Sequence, residues 1–299
     1  MGENLYELTQ PIMKTKRLFI VILVSALSAS AIAQPDSGRY TSLEDAFKNR
    51  ETCEWLDISK QEIRQLPDSL FQLTKLKYLD LSRTQLQDLS PRVGELKQLR
   101  YLVLSYNHLK KLPVEISSLH LLQSLYLDHN PELDVPQAII FLNELPNLQM
   151  LSLAGDHIST LPPDIGKLNT LEHLELSDNE FTDLPETMMQ MKKLRVLYIN
   201  NDSYFNLKGS LSVLSKISSL SELHIENDGL REIPEGISQL TAVEYLFLVG
   251  NHIDQVPNEI AKMKKLKLLD VSDNPLTQPT YNETLSPQLN IKFKRNDNP

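Results

Sequence analysis

Five side chains in the sequence are of the kind that acid–base catalysis or metal binding would use: His173, Glu175, Glu222, His224 and Glu226. Imidazole and carboxylate groups transfer protons in active sites and bind zinc. No GxSxG, Walker A or HExxH motif accompanies them in the sequence. The single cysteine, Cys53, excludes an internal disulfide and a zinc site built on several thiolates. Chemistry at these residues therefore depends on whether the fold brings them together.

Ten consecutive units repeat along the chain and determine where those residues lie. Each unit approximates LxxLxLxxNxLxxLPxxIxxLxx, and successive units are offset by 23 residues, with two offsets of 26. Position 1 of each unit is Cys53, Leu76, Leu99, Leu122, Leu148, Leu171, Leu194, Leu220, Val243 or Leu266. The xLxLx segment alternates apolar and polar residues, which predicts a short strand with one buried face. The proline in the second half of most units predicts a tight turn or the start of a short helix.

This pattern resembles the leucine-rich repeat family, in the LPxxIxxLxxLxxLxLxxNxL variant found in bacterial repeat proteins and plant Ras-group-related repeat proteins. The resemblance covers residues 53–278. It implies an α/β solenoid: a curved horseshoe with a parallel β-sheet on the concave face and short helices or turns on the convex face. A single unit exposes both sides of its core, so the units are expected to fold only as a stack.

The repeat is expected to keep the acid–base residues apart. His173 is at position 3 of the sixth unit, and His224 is at position 5 of the eighth unit. Because neighbouring strands lie ~4.8 Å apart, these two imidazoles should be separated by roughly 10 Å or more. We therefore predict no catalytic residues, no metal site and no cofactor, and hence a protein that is not an enzyme.

Position 9 carries an asparagine in half of the units: Asn107, Asn130, Asn179, Asn251 and Asn274. Its amide can both donate to and accept from backbone groups where the chain leaves the strand, which predicts a structural ladder. Three units have an aspartate at this position instead, and a carboxylate can only accept; these are Asp156, Asp202 and Asp228. Gln61 and Thr84 depart from the pattern as well. The ladder is therefore expected to be imperfect.

The segments that flank the repeats are predicted to be caps. Residues 34–52 should form an N-terminal helical cap, with Thr41 and Glu44 as a capping box. Residues 279–299 should form a C-terminal cap, in which LNIKFKR (289–295) alternates like an edge strand. Cys53 is expected to be a buried hydrophobic residue. The longer units, over 130–147 and 201–219, each carry three extra residues, which form either a contact loop or a tolerated insertion.

Residues 1–33 are interpreted as an N-terminal extension followed by a secretory signal peptide. From Met13, the expected translation start, three basic residues precede an apolar stretch at 18–27, and cleavage is expected after Ala33. This apolar stretch is too short to span a bilayer, which takes ~20 residues, so no stable membrane span is predicted. An exported chain without disulfides is typical of a bacterial periplasmic or secreted protein.

Side chains at positions 2, 3, 5, 7 and 8 are expected to face the concave side or its rim. Many are aromatic, and aromatic residues often anchor protein–protein contacts, although β propensity also favours them in strands. The candidate ligand-binding residues are Trp55, Tyr78, Tyr101, Tyr106, Tyr126, His173, Glu175, Tyr198, His224, Tyr245 and Phe247.

Charge indicates the kind of partner. The net charge is −9. The fifty residues at positions 2, 3, 5, 7 and 8 of the ten units include twelve acidic and six basic residues. This favours a protein partner with a basic patch and argues against nucleic acid, whose phosphates need a basic surface. Two alternatives stay open: a glycan binder that stacks sugars on Trp55, Tyr78 and Tyr101, and a cytosolic signalling scaffold if residues 13–33 are not cleaved.

Overall fold

The sheet predicted from the repeat runs through the whole part of the chain that the computed structural model describes, residues 38–276 and 289–292. Twelve parallel strands follow one another in chain order. They are Arg39–Tyr40 (β1), Trp55–Asp57 (β2), Tyr78–Asp80 (β3), Tyr101–Val103 (β4), Ser124–Tyr126 (β5), Met150–Ser152 (β6), His173–Glu175 (β7), Val196–Tyr198 (β8), Glu222–His224 (β9), Tyr245–Phe247 (β10), Leu268–Asp270 (β11) and Asn290–Lys292 (β12). The predicted signal peptide and most of the C-terminal cap lie outside the described residues.

Strand register places equivalent positions of successive repeats side by side. Tyr78 pairs with Tyr101, and Leu79 pairs with Leu102. The position 4 leucines between them are fully buried, as Leu79 and Leu102 illustrate. Because side chains alternate across a strand, positions 3 and 5 then project to the opposite face in two continuous columns.

Short helices on the other side of each repeat confirm the predicted convex face. The 3₁₀ helices are Asp68–Gln72, Pro91–Glu95, Val114–Ser118, Pro163–Lys167, Glu186–Gln190, Ile237–Gln239 and Asn258–Lys262. The two longer units instead carry α-helices, Val135–Leu142 (α2) and Leu207–Leu214 (α3). Five residues of 3₁₀ helix rise ~10 Å and eight residues of α-helix rise ~12 Å, so the three extra residues change the helix type while nearly preserving its length. No helix within 38–276 or 289–292 is long and apolar enough to cross a membrane.

The core is one continuous stack of leucines between the sheet and the convex helices. Cys53, at position 1 of the first repeat, is fully buried in it. Burial raises the pKa of the Cys53 thiol to about 11, opposed by a hydrogen bond with the Trp55 backbone. A thiol that remains protonated at neutral pH is a poor nucleophile, so this residue serves packing.

The N-terminal cap differs from its prediction in where the helix begins. The helix spans Leu43–Lys48 (α1), and its N-cap is Ser42, whose side chain accepts a hydrogen bond from the Asp45 N–H at 3.3 Å. The predicted capping box of Thr41 and Glu44 is therefore wrong. The reason is β1, because its pairing with β2 keeps the chain extended beyond the point where a helix was expected.

Candidate functional site

The predicted binding residues lie on the face of the sheet opposite the leucine core, here called the concave face. Half-buried members of the set are Trp55, Tyr101, Tyr106, His173, Glu175, Tyr245 and Phe247. Four others are nearly covered: Tyr78, Tyr126, Tyr198 and His224, with exposed fractions of 5%, 6%, 7% and 9%. Neighbouring strands are only ~4.8 Å apart, so large side chains in one column pack against each other. The concave face is therefore a close-packed layer and not a row of separate rings.

A first stack of rings begins at the N-terminal end of the sheet. The rings of Trp55 and Tyr78 are parallel within 8°, with their centroids 3.5 Å apart. The Arg39 guanidinium lies 4.9 Å from the centre of the Trp55 ring. Since β1 and β3 flank β2 on opposite sides, Arg39 and Tyr78 cover the two faces of the indole. Tyr101 continues the stack in a tilted contact with Tyr78, at 6.5 Å.

A second stack, of Tyr198, His224 and Phe247, lies toward the other end. Successive ring centroids are 4.2 Å apart. The imidazole of His224 also lies between two carboxylates, with Nε2 2.8 Å from Glu222 Oε1 and Nδ1 2.8 Å from Glu226 Oε1. Burial alone would lower the pKa of His224, but these two hydrogen bonds outweigh it and raise the pKa above its ordinary value. Because ionised carboxylates only accept, both ring nitrogens donate to them when the imidazole is protonated.

The structure does not join His173 and Glu175 to that cluster. They lie on β7, and β8 with Tyr198 separates them from His224 on β9. Burial lowers the pKa of His173. Burial raises the pKa of Glu175 to about 7, although a hydrogen bond from the Ser177 N–H opposes the change. Among the described residues, no group of three or more His, Cys, Asp or Glu side chains is arranged to hold a metal ion.

Position 8 forms the rim of the concave face, and its backbone conformation was missed from the sequence. The residue there has a positive φ in all ten repeats, as in Tyr106 at 59° and Gly155 at 70°. Six of the ten are Gly, Asn or Asp, which tolerate this conformation best, and that composition was the available signal. Tyr106 stacks between the Arg83 guanidinium at 3.7 Å and the His129 ring at 4.2 Å. It therefore belongs to a ladder on the rim and not to the strand columns.

The position 9 asparagines connect successive repeats beneath the rim. The Oδ1 atom of Asn107 accepts from the N–H groups of Thr84 at 3.1 Å and Leu86 at 2.9 Å. Its Nδ2 donates to the carbonyls of Leu81 at 2.8 Å and Leu104 at 2.9 Å. One buried amide thus pairs with backbone groups at the strand ends of two neighbouring repeats. The same donation is made by Asn130, Asn179, Asn251 and Asn274.

Comparisons with protein families agree with this geometry. A model described as "Leucine-rich repeat region" matches residues 139–229, and one described as "Leucine rich repeat" matches residues 86–131 and 218–276. The chain is a leucine-rich repeat protein. No curated protein matches the sequence.

Solved leucine-rich repeat structures share the fold at low sequence identity. An internalin from Listeria monocytogenes is 18% identical with a TM-score of 0.59, over 87% of this chain and 85% of the internalin. The mouse RP105/MD-1 complex is 17% identical with a TM-score of 0.61, over 80% of this chain and 42% of the matched chain. At these identities the likeness shows the fold alone.

Within the ten repeats, lysine and arginine lie only on the rims of the concave face of this leucine-rich repeat protein, and the flanking strands add Arg39 beside Trp55 and Lys292 beside Asp270. Positions 3, 5 and 7 of the ten repeats, all within the described residues, carry no lysine or arginine. The same positions carry seven carboxyl groups: Asp57, Asp80, Asp128, Glu175, Glu222, Glu226 and Asp270. The basic side chains are at positions 2 and 8, where Lys77 pairs with Glu54 at 2.7 Å and Lys267 pairs with Glu244 at 2.5 Å. The middle of the face is therefore acidic between partly neutralised edges.

Proposed function

We propose that this leucine-rich repeat protein is a non-enzymatic, exported module that binds another protein on its concave face. The observation that carries the proposal is the acidic middle of that face, with seven carboxyl groups and no lysine or arginine. Such a surface attracts a partner with a basic patch and disfavours an acidic one. Solenoids present extended concave surfaces of this kind to their ligands. The mouse structure with this fold is a complex of RP105 with MD-1.

The packing of the rings favours a protein over a glycan. Sugar stacking needs an open aromatic face, but the two faces of Trp55 are covered by Arg39 and Tyr78. Tyr78, Tyr126 and Tyr198 are at most 7% exposed, so their rings offer no open face either. The Tyr78 hydroxyl is also hydrogen-bonded to Asp80 at 3.3 Å. The carboxylates of this face suit ion pairs with basic side chains of a protein partner.

Export rests on the signal-peptide pattern at residues 13–33. We expect the first residue of the mature chain to be Gln34, because Ala31 and Ala33 provide the small side chains that cleavage requires. Mass spectrometry of the protein purified from the cells that naturally produce it identifies the first residue directly. A chain that retains residues 13–33 would instead support a cytosolic scaffold.

Photo-cross-linking tests which face binds the partner. Benzoylphenylalanine replaces Tyr101 or Tyr245, which are both half-buried on the concave face. The substituted protein is then mixed with an extract of the cells that naturally produce it, and the mixture is irradiated. We expect both concave positions to form an adduct with the same protein. Val114 and Ile140 on the convex side, 54% and 52% exposed, are the matched positions and should give no such adduct.

The adducts distinguish the alternatives. A protein adduct from the convex positions alone would refute the concave site. Adducts from Tyr101 and Tyr245 that contain only carbohydrate would replace the proposal with glycan binding. Cross-linking at both faces with equal yield would show that the concave face has no special role.

A further inference from the structure

Three buried carboxyl groups lie where other repeats have an asparagine amide. Asp156, Asp202 and Asp228 are 4%, 0% and 3% exposed. In each of them the Oδ2 atom is buried and has no hydrogen-bond partner. An unpaired oxygen at a repeated interior position calls for a physical account, because buried polar atoms are nearly always paired.

The Oδ1 atoms of Asp156 and Asp228 replace the amide oxygen of the ladder, whereas Oδ1 of Asp202 accepts from the Tyr204 N–H at 3.3 Å. Asp156 Oδ1 accepts from the Asn130 N–H at 2.6 Å, and Asp228 Oδ1 accepts from the Asp202 N–H. In an asparagine repeat the equivalent bond joins Asn107 Oδ1 to the Thr84 N–H. With Oδ1 fixed in this way, Oδ2 occupies the place of the amide nitrogen.

The amide nitrogen at that place always donates to carbonyl groups. Asn251 Nδ2, for example, donates to the carbonyls of Ile225 at 2.8 Å and Leu248 at 3.0 Å. An ionised Oδ2 would direct its lone pairs at such oxygens. A single O–H donor fits the place, because the Thr84 hydroxyl at position 9 donates to the Leu81 carbonyl at 2.8 Å.

We propose that Asp156, Asp202 and Asp228 are neutral carboxylic acids in the folded array, each donating its proton from Oδ2 to a position 6 carbonyl in place of the asparagine amide. The three residues lie in the fifth, seventh and eighth repeats. Ionisation removes this donor, so acid stabilises the fifth, seventh and eighth repeats, the last of which carries His224.

The charges around these residues favour the same protonation state. Asp156 faces Asp128, Asp202 faces Glu180 and Asp228, and Asp228 faces Asp202, Glu226 and Asp178. All of them are acids, and each ionised neighbour disfavours a second negative charge. Burial is the largest cause and raises the pKa of Asp156 and Asp228 to about 8, and that of Asp202 to about 6.

These pKa values set the direction of the pH dependence. In the unfolded chain an aspartate has a pKa of ~3.9, so the folded state binds the protons more tightly. The stabilisation is full below about pH 4 and is lost progressively as pH rises, up to about 6 for Asp202 and about 8 for the other two. Over that range the folding equilibrium constant falls about tenfold per pH unit for each proton that only the folded state retains.

The test compares the full chain with the triple variant Asp156→Asn, Asp202→Asn, Asp228→Asn in urea unfolding between about pH 5 and pH 8. We expect the variant to lose most of the fall in stability that the unsubstituted protein shows over this range, and to be the more stable of the two at about pH 8. The matched control, Asp88→Asn with Asp254→Asn, changes two exposed aspartates and should keep the original slope. A triple variant with the original slope would overturn the proposal.

A direct measurement on the unsubstituted protein does not depend on how the variant folds. With aspartate labelled at the side-chain carboxyl carbon, NMR at about pH 5 should show the resonances of Asp156, Asp202 and Asp228 at the position of a protonated acid, because free aspartate is mostly ionised there. They are assigned by their disappearance in single Asp→Asn variants. Three ionised resonances at this pH would refute the proposal even if the stability data agreed with it.

Discussion

Replacing Asn107 with alanine is expected to lower the free energy of unfolding by about 4 kcal/mol. The amide is 2% exposed and accepts hydrogen bonds from the backbone N–H groups of Thr84 and Leu86. Alanine leaves both donors buried without a partner, at about 1–3 kcal/mol each, and leaves a small cavity.

The carbonyl groups that accept from Asn107 are affected less than the two N–H donors, because each keeps another hydrogen bond. The Leu81 carbonyl still accepts from the Thr84 hydroxyl at 2.8 Å, and the Leu104 carbonyl still accepts from Asn130 Nδ2 at 3.1 Å. The loss therefore comes mainly from the two unpaired donors and not from the number of hydrogen bonds deleted.

Urea unfolding of the two proteins measures the loss, with Asn147→Ala as control. Asn147 is exposed, and its Nδ2 donates to the His120 carbonyl at 2.7 Å. Its removal should cost less than about 1 kcal/mol, because water replaces the amide. Equal losses for both variants would show that the ladder contributes nothing beyond an ordinary surface hydrogen bond.

The order of the strands and the columns of side chains could be predicted because the leucine spacing leaves little freedom. A position 4 leucine such as Leu102 must enter the core, and a shift of one residue would turn it to solvent. Tyr101 and Val103 on either side are then forced to the concave face. The family resemblance and the physical argument agree here, and the observed register follows both.

How the concave side chains pack could not be predicted. A pattern places Trp55 and Tyr78 on one face but does not say that their rings lie parallel at 3.5 Å, because this depends on rotamers and on the neighbouring Arg39. The glycan alternative needed an open face on Trp55, whereas in the structure Arg39 and Tyr78 cover both faces of that ring. How deeply the position 9 side chains are buried was missed for a similar reason. Asp156 was interpreted as a carboxylate that can only accept, and only its burial and its unpaired Oδ2 atom raise the question of whether it is protonated.

The helical cap shows how strand pairing can override a helix-capping motif in the local sequence. Thr41 and Glu44 have the capping-box spacing, but β1 pairs with β2 and holds the chain extended up to Ser42. Glu44 instead forms an ion pair with Lys48 at 2.7 Å, within the helix. Sheet pairing between residues distant in sequence decided the boundary, and no short segment carries that information.

Neutralising Glu172, Glu222 and Glu226 with glutamine is expected to weaken binding of the cross-linked partner by roughly 10-fold at low salt. Three charges leave the concave face, but the loss of Glu222 and Glu226 also removes the hydrogen bonds that raise the pKa of His224. The imidazole then releases its proton, so the net change is closer to two charges than to three. Association rates measured by stopped flow should account for much of the effect, because surface charge mainly steers encounter.

The matched control makes the same change of charge on the convex side. Glu115, Glu186 and Glu235 are exposed, and their replacement by glutamine should leave the association rate nearly unchanged. Raising the salt concentration should remove most of the difference between the concave variant and the unsubstituted protein, since the Debye length falls from ~10 Å at 0.1 M to ~3 Å at 1 M. Equal effects of the two triple variants would mean that total charge, and not its placement on the concave face, attracts the partner. A concave variant that binds as tightly as the original protein would remove the electrostatic basis of the proposed function.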